Sequence, residues 1–267
     1  MGHMRIGTLP ATEPWKKVVS RIGLNGSAPV VADATLGAAR RAFLAVGEDA
    51  GFRQTTFLLV ELALAGNKPD AAQQLARLGI TIPENTSLAD VAVQVSRELD
   101  ERIDATRKRT DFGEMAQLAL VGAVVEHVQK HLPPNLPLLP QTPPTRKDVM
   151  KAFKELSKEN QFGAVARRYC AKLADATLNY FLSKTLATQI GEGQRFTTTN
   201  QVTEFEAGMR RHCQEASAIM EEFAAKWFSK RRHLGGGTIS RETVERFGWY
   251  GMQKMRLELE VRAQRET

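Results

Sequence analysis

The chain has 267 residues, of which 42% are apolar and 25% charged, and its formal net charge is +7 at neutral pH. This composition is typical of a globular protein and excludes a largely disordered chain. No apolar run approaches the ~18 residues that a membrane-spanning helix needs, which argues against an integral membrane protein. The two cysteines have no CxxC spacing, so we expect a protein of the reducing cytoplasm without disulfide bonds.

Residues 4–132 have the pattern of a neutral helical module. The preceding residues 1–3 resemble an expression scar and are left out of it. The basic and acidic residues of the module balance at fifteen each. Helix start signals, such as the capping box from Ser87 to Asp90, alternate with turn residues such as Gly79. These signals predict six helices, over residues 14–24, 32–46, 53–65, 69–78, 87–109 and 111–131.

Residues 133–144 separate this module from the rest of the chain. Six of the eleven prolines fall within these twelve residues. Because proline lacks an amide hydrogen and forces the preceding residue out of the helical region, the segment is predicted to be extended. It could be an interdomain linker, a strap packed on one module, or a ligand for a groove that reads proline. Its three leucines, Leu136, Leu138 and Leu139, favour the strap.

Residues 145–267 are predicted to form a basic helical module. They contain no proline and hold 22 basic against 15 acidic residues, which accounts for the whole net charge. About four helices are predicted, two or three of them long: one that begins with a capping box at Thr145, two over residues 162–190 and 200–232, and a last one after Ser240. The chain is therefore predicted to be all-α, with two helical modules joined by a proline-rich extended segment.

The stretch over residues 162–190 also admits a second interpretation, a helix-turn-helix. Residues 162–170 resemble its first helix, and residues 175–182 would be a recognition helix that offers Thr177 and Asn179 to base edges. The residues between these two helices contain no glycine and favour a helix, so one continuous helix is the preferred prediction.

Sequence signatures of known enzymes, such as a Walker loop, GxSxG or HExxH, are missing, so we predict no catalytic residue, no metal and no cofactor. His127 and His131 share a helix face, as zinc ligands do, but no third ligand is evident in the sequence. Cys213 falls on an apolar helical stripe and is predicted to be a core residue. The acidic residues near Asp100 alternate with arginines, which is typical of a solvated helix face. An enzyme with an unrecognised helical active site, built on these histidines or acidic residues, is a further alternative.

Clustered basic residues in the second module are the main candidates for a binding site. Lysine and arginine neutralise the phosphates of a nucleic acid, and each such contact releases counterions. Helix dipoles and neighbouring glutamates explain some of these positions equally well. The residues predicted to contact phosphate, or another anion, without reading base sequence are Arg167, Arg168, Arg195, Arg210, Arg211, Lys230, Arg231 and Arg232.

Trp249 and Tyr250 lie between two glycines in the last predicted helix. Glycine costs about 1 kcal/mol in a helix relative to alanine, so close packing or a partner surface is expected to offset that cost. Since tryptophan and tyrosine often anchor interfaces, these two are predicted interface residues, with core packing as the alternative.

Together these features favour a non-enzymatic helical binding protein that belongs to a larger assembly. In this hypothesis residues 4–132 contact protein partners, and residues 145–267 contact nucleic acid or an acidic surface. The alternative is a protein–protein adaptor or a homo-oligomeric scaffold without a nucleic-acid role. DNA, RNA and an acidic protein are equally compatible with the basic residues, and no membrane association is predicted.

Overall fold

The computed structural model of the protein describes residues 12–40, 46–133 and 144–265. These ranges contain α-helices and no β-strand, which confirms the predicted all-α class. The predicted expression scar and residues 134–143 of the proline-rich segment lie outside them. The helices are α1 (Glu13–Gly23), α2 (Ala28–Ala38), α3 (Ala50–Gly66), α4 (Ala71–Arg77), α5 (Leu88–Ala105), α6 (Asp111–His131), α7 (Arg146–Leu156), α8 (Glu159–Ala187), α9 (Thr199–Ala216), α10 (Ala218–Leu234) and α11 (Arg241–Arg265), and one 3-10 turn, Val46–Glu48, precedes α3.

Several helices begin and end where the sequence predicts, because the capping residues form the expected hydrogen bonds. The amide of Asp90 donates to Ser87 Oγ at 3.1 Å, and the amide of Ser87 donates to Asp90 Oδ2 at 2.7 Å, which completes the capping box of α5. Thr145 and Asp148 form the same box at the start of α7. Gly79, with a φ of +77°, follows the end of α4, as its predicted left-handed cap.

Helix α8 is continuous over its 29 residues, as the preferred prediction states. Thr177 is buried and donates its hydroxyl hydrogen to the carbonyl of Leu173 at 2.7 Å. The side-chain amide of Asn179 donates to Asp175 at 3.0 Å. The helix-turn-helix alternative is therefore wrong, since there is no turn and Thr177 does not reach the surface.

The helix predicted over residues 200–232 is in fact two helices, α9 and α10, which meet at Ser217. The hydroxyl of buried Ser217 donates to the carbonyl of Gln214 at 2.7 Å, and such local bonds compete with the helical pattern. The prediction was wrong because both helices pack on α8, so their buried residues keep one period across the break. The described part of the second half therefore has five helices and not about four.

Two hydrophobic clusters hold the helices together, and each contains residues from both sides of the proline-rich segment. The first contains Leu59 of α3 together with Phe162 of α8. The second contains Leu36 of α2 together with Leu178 of α8. The cores thus do not coincide with the two predicted modules, and α8 contributes to both of them.

Helix α8 is the central element of this arrangement, since it packs against α6, α9 and α10. Its length and central position do not make it a membrane span. In the ranges that the structure describes, no helix is both long and apolar enough to cross a membrane.

Candidate functional site

The eight basic residues predicted to contact phosphate do not lie together. Arg167 contacts Glu221 in the first turn of α10, whereas Arg232 contacts Ser157 beside the end of that helix. Eleven residues at 1.5 Å each separate these two contacts along α10 by about 16 Å. The eight are distributed over four elements: Arg167 and Arg168 on α8, Arg195 in the loop after α8, Arg210 and Arg211 on α9, and Lys230, Arg231 and Arg232 at the end of α10.

Arg195 holds the end of α1 in place. Its Nη1 and Nη2 donate to the carbonyls of Ile22 at 3.1 Å and Gly26 at 2.6 Å. The guanidinium also lies over the rings of Phe196 and Phe205, at 4.7 and 4.4 Å from their centroids. Burial lowers the pKa of Arg195. This arrangement leaves the side chain engaged within the fold and does not fit the predicted phosphate contact.

The arginines of α8 and α9 differ in how they are neutralised. Arg167 donates to Glu221 at 2.8 Å, and Arg210 lies 3.6 Å from Asp175. Burial raises the pKa of Asp175, and the nearby Arg210 partly offsets that effect. Arg168 has a buried Nη1 that bonds no described residue, and Arg211 is exposed without an ion pair in the same part of the chain. The paired side chains are poor candidates for binding an external anion.

The last turn of α10 contains the basic residues that are most available. Lys230 and Arg231 are exposed, and neither forms an ion pair with any part of the chain that the structure describes. Arg232 is half-buried, and its Nη1 donates to the carbonyl of Ser157 at 2.7 Å. Because successive residues of a helix point about 100° apart, Arg231 and Arg232 face two different clefts.

Arg231 borders a cleft between α10, α11 and the 3-10 turn, with a volume of about 750 Å³. We name this cleft the aromatic groove. The groove brings Arg231 together with both predicted interface residues, which lie 18 and 19 residues further along the chain. Its aromatic lining residues are Phe223, Trp227, Phe247, Trp249 and Tyr250. Its charged lining residues are Arg53, Arg231, Arg246, Glu48, Glu242 and Glu245.

Two aromatic side chains of the groove are open to solvent. Trp249 is 38% exposed and Tyr250 is 55% exposed, and their rings meet edge to face at 4.8 Å. Trp249 is held from behind by the backbone at Gly47, where a Cβ atom would lie only 2.3 Å from the indole. The predicted core-packing alternative therefore does not describe either residue, since neither is buried.

Most of the charges in the groove are already paired. Arg246 lies 2.5 Å from Glu242, and Arg53 lies 3.9 Å from Glu245. Arg231 has no such partner among the described residues. It is therefore the cation of the groove that is free to meet an external anion.

A second cleft, with a volume of about 480 Å³, lies on the other side of the last turn of α10. We name it the polar cleft. The ends of α3 and α10 meet there, next to the glycine-rich loop that follows α10. Its lining residues are Asn67, Ser229, Arg232, His233, Gly236 and Gly237.

His127 and Cys213, whose residue types can catalyse reactions or bind metals, are both buried in the core. His127 is fully buried, with Nε2 2.9 Å from the carbonyl oxygen of Ala152. Cys213 is buried, as predicted, and burial raises the pKa of its thiol. Over residues 12–40, 46–133 and 144–265, no three His, Cys, Asp or Glu side chains are close enough to hold a metal ion.

Some residues of the two clefts had no signal in the sequence. Arg53 and Glu48 precede or begin α3, some 180 residues before Arg231, and Asn67 follows the end of α3. No spacing rule connects such positions, because only tertiary packing brings α3 beside α10 and α11. Neighbouring basic residues, such as Arg210 and Arg211, and the Trp249–Tyr250 pair were visible in the sequence because each is a local feature.

Comparison with known proteins gives no guide to the function of these clefts. No protein-family model, no curated protein and no solved structure matches the chain.

Proposed function

We propose that the protein is a non-enzymatic binding protein, part of a larger assembly, that contacts single-stranded nucleic acid through the aromatic groove. The observation that carries this proposal is the position of Arg231, which forms no ion pair with a described residue, in the same groove as the exposed rings of Trp249 and Tyr250. Cations that meet the backbone and aromatic rings on which bases stack are the two elements of sequence-independent strand binding.

The surroundings of the groove support an anionic partner. Lys254 lies over the ring of Phe223, with its ammonium 5.3 Å from the centroid. The whole positive balance of the chain falls in residues 145–267, which contain both helices of the groove. This net positive charge attracts the negatively charged backbone of a nucleic-acid strand, and the attraction weakens as the salt concentration rises.

Fluorescence anisotropy of a labelled random-sequence strand, titrated with the protein at increasing salt, tests the proposal. We expect the single strand to bind more tightly than its duplex. Trp249→Ala should weaken binding about tenfold through lost stacking, and Arg231→Ala should reduce the salt dependence by about one phosphate contact. Arg21→Ala removes an exposed arginine from the last turn of α1, outside the groove and without an ion pair to any described residue, and serves as the matched control.

The proposal is overturned if the wild-type protein fails to bind at low salt. It is also overturned if Arg231→Ala and Trp249→Ala bind as tightly as the Arg21→Ala control. Circular dichroism of each variant shows that the fold is retained.

A protein–protein adaptor or homo-oligomer is the second candidate, and one observation favours it. Leu257 and Val261 of α11 are 50% and 40% exposed, and they continue the stripe that begins at Tyr250, with spacings of seven and four residues. Such a stripe is the usual contact face of a helix with a partner helix. Light scattering that gives the mass of an oligomer, lost in Leu257→Ser, would favour this candidate; a monomer mass removes the homo-oligomer.

A further inference from the structure

We propose that the polar cleft is a phosphate-binding site, and that its ligand is the terminal phosphate of a phosphate monoester. The site is separate from the aromatic groove, on the opposite side of the last turn of α10. Three side chains would hold the phosphate: Arg232, His233 and Lys68.

The charge of the cleft points to an anion. None of its lining residues carries a carboxylate, in contrast to the aromatic groove, which has three. The Lys68 ammonium reaches the cleft from the end of α3, since it lies 3.4 Å from the position that a Cβ atom of Gly237 would take. Within the described ranges, neither Lys68 nor Arg232 forms an ion pair. Their positive charge is therefore uncompensated.

Arg232 is fixed in a direction that suits a phosphate. Its Nη1 donates to the carbonyl of Ser157 at 2.7 Å, and its guanidinium lies 5.5 Å from the ring centroid of Phe228. A guanidinium has five N–H donors in a planar fork, and only one of them is used by a described residue. A donor group that is already held in place loses little conformational freedom when it binds.

The glycines of the loop after α10 keep the cleft open. Gly236 and Gly237 have φ of +56° and +89°, a backbone conformation that residues with a Cβ rarely adopt. Since they have no side chains, they leave room for a ligand beside Arg232. Asn67 and Ser229 add neutral hydrogen-bond donors at the cleft wall.

The preference of cations for helix C-termini does not explain the positions of all three side chains, Arg232, His233 and Lys68. Cations are favoured near the ends of α3 and α10 because the helix dipole is negative there. Arg232 does donate to a carbonyl, but it is that of Ser157, just after the end of α7. The side chains of Lys68 and His233, however, donate to no carbonyl within the described part of the chain. Their donors remain available to a ligand.

The size of the cleft indicates more than a bare ion. Its volume of about 480 Å³ falls in the range of about 300–1,000 Å³ that small-molecule sites occupy. A phosphate monoester would place its phosphate against Arg232, Lys68 and His233 and its alcohol portion toward the open side. Two sources share this chemistry: a free phosphate ester, and the phosphorylated end of a nucleic-acid strand. The second source rests on the proposed function.

Isothermal titration of the full chain with inorganic phosphate, and then with a nucleoside monophosphate, tests the site. We expect saturable binding that Lys68→Gln weakens about tenfold, as the loss of one charge-assisted hydrogen bond does. His233→Asn should weaken it further when combined with Lys68→Gln. Both positions are exposed, so the variants are expected to fold, and the control is Lys17→Gln, which removes an exposed lysine of α1 that lines neither cleft.

Anisotropy with strands that end in a phosphate or a hydroxyl separates the two sources. Tighter binding of the phosphorylated strand, lost in Lys68→Gln, assigns the cleft to a strand end; equal binding of both strands, with phosphate and monophosphate binding retained, assigns it to a free ester. The site is overturned if neither phosphate nor the monophosphate binds, or if Lys68→Gln with His233→Asn binds them as well as the wild type. Strand binding by the groove would survive that result, just as the cleft would survive a failure of strand binding.

Discussion

His127 is a buried side chain whose charge state is fixed by its surroundings. Burial lowers the pKa of its imidazole to about 4. The hydrogen bond with Ala152 partly opposes this effect, and the nearby Arg168 and Lys130 act in the same direction as burial. Nε2 contacts the carbonyl oxygen of Ala152, whereas no described residue bonds the buried Nδ1. The imidazole is therefore neutral in the folded protein at physiological pH, and protonation opposes folding.

We expect the free energy of unfolding to decrease as the pH falls from about 6.5 to about 4. In this window the unfolded chain, with an ordinary histidine pKa, binds a proton that the folded chain does not. The shift corresponds to about 3 kcal/mol at most, present in full above the window and lost through it. His127→Gln keeps a donor toward Ala152 and should remove this loss in urea unfolding measured across the pH range.

The exposed His233 provides the control for this prediction. His233→Gln should retain the wild-type pH dependence of unfolding, because that side chain is not buried. Equal pH slopes for the wild type and His127→Gln would contradict the assignment of the effect to His127.

The sequence could place His127 and His131 on one helix face but could not show which of them is buried. Their spacing by four residues determines the shared face. The burial of His127 depends on α7, which covers it through Ala152 and which follows a segment of prolines in the chain. A pair that resembles half of a zinc site is in this structure one core residue and one partly exposed neighbour, with the ring centroids 4.4 Å apart.

At the scale of the helices, the contact between α8 and α10 depends on Gly163. A Cβ atom at this position would lie 2.3 Å from the carbonyl oxygen of Glu221 and 3.0 Å from the Cβ of Ala225. The first of these atoms belongs to the backbone of α10, so no side-chain rotation relieves the contact. The absence of a Cβ thus lets the two helices approach closely.

Gly163→Ala is therefore expected to lower the free energy of unfolding by about 1–3 kcal/mol, because the helices must separate. This loss should exceed the ~1 kcal/mol that alanine gains from its better helix propensity. The matched control is Gly37→Ala in α2, where a Cβ atom meets nothing within 4 Å. The control should be as stable as the wild type or more so in urea unfolding. A Gly163→Ala variant that behaves like the control would contradict the close contact.

Helix boundaries were predictable where a local hydrogen bond determines them. The boxes at Ser87 and Thr145 are read from residues three apart, and both form in the structure. The break at Ser217 was missed because a serine within a helix gives no comparable signal. Likewise, the basic and aromatic residues of the groove were visible individually, but their meeting depends on how α10 packs against α11, which no local pattern determines.

At the scale of the whole molecule, the charge boundary and the packing boundary differ. Basic residues concentrate after residue 144, yet the hydrophobic clusters combine residues from both halves. Charge is a surface property and can be divided along a chain without dividing its core. The predicted division into residues 4–132 and 145–267 therefore describes a difference in net charge and not two separately packed units.

This shared packing predicts that the described part of the chain unfolds in one cooperative transition. Trp15 belongs to one hydrophobic cluster and Trp227 packs against the other. Variants that keep only one of these tryptophans should report the same urea midpoint, and this midpoint should match that from circular dichroism. The physical reason is that α8 contributes to both clusters, so neither can lose its packing while the other remains intact.

The isolated fragment 145–267 completes the test. It retains α8 but lacks the residues of α2, α3 and α6 that cover it, so large apolar side chains such as Phe162 and Leu178 would lose part of their packing. Burial of each such side chain contributes about 1.5–3 kcal/mol, so losing several exceeds the stability of an ordinary domain. We expect the fragment to show no cooperative unfolding transition by circular dichroism. A cooperative transition near the midpoint of the full chain would instead mean that the second half holds a core of its own.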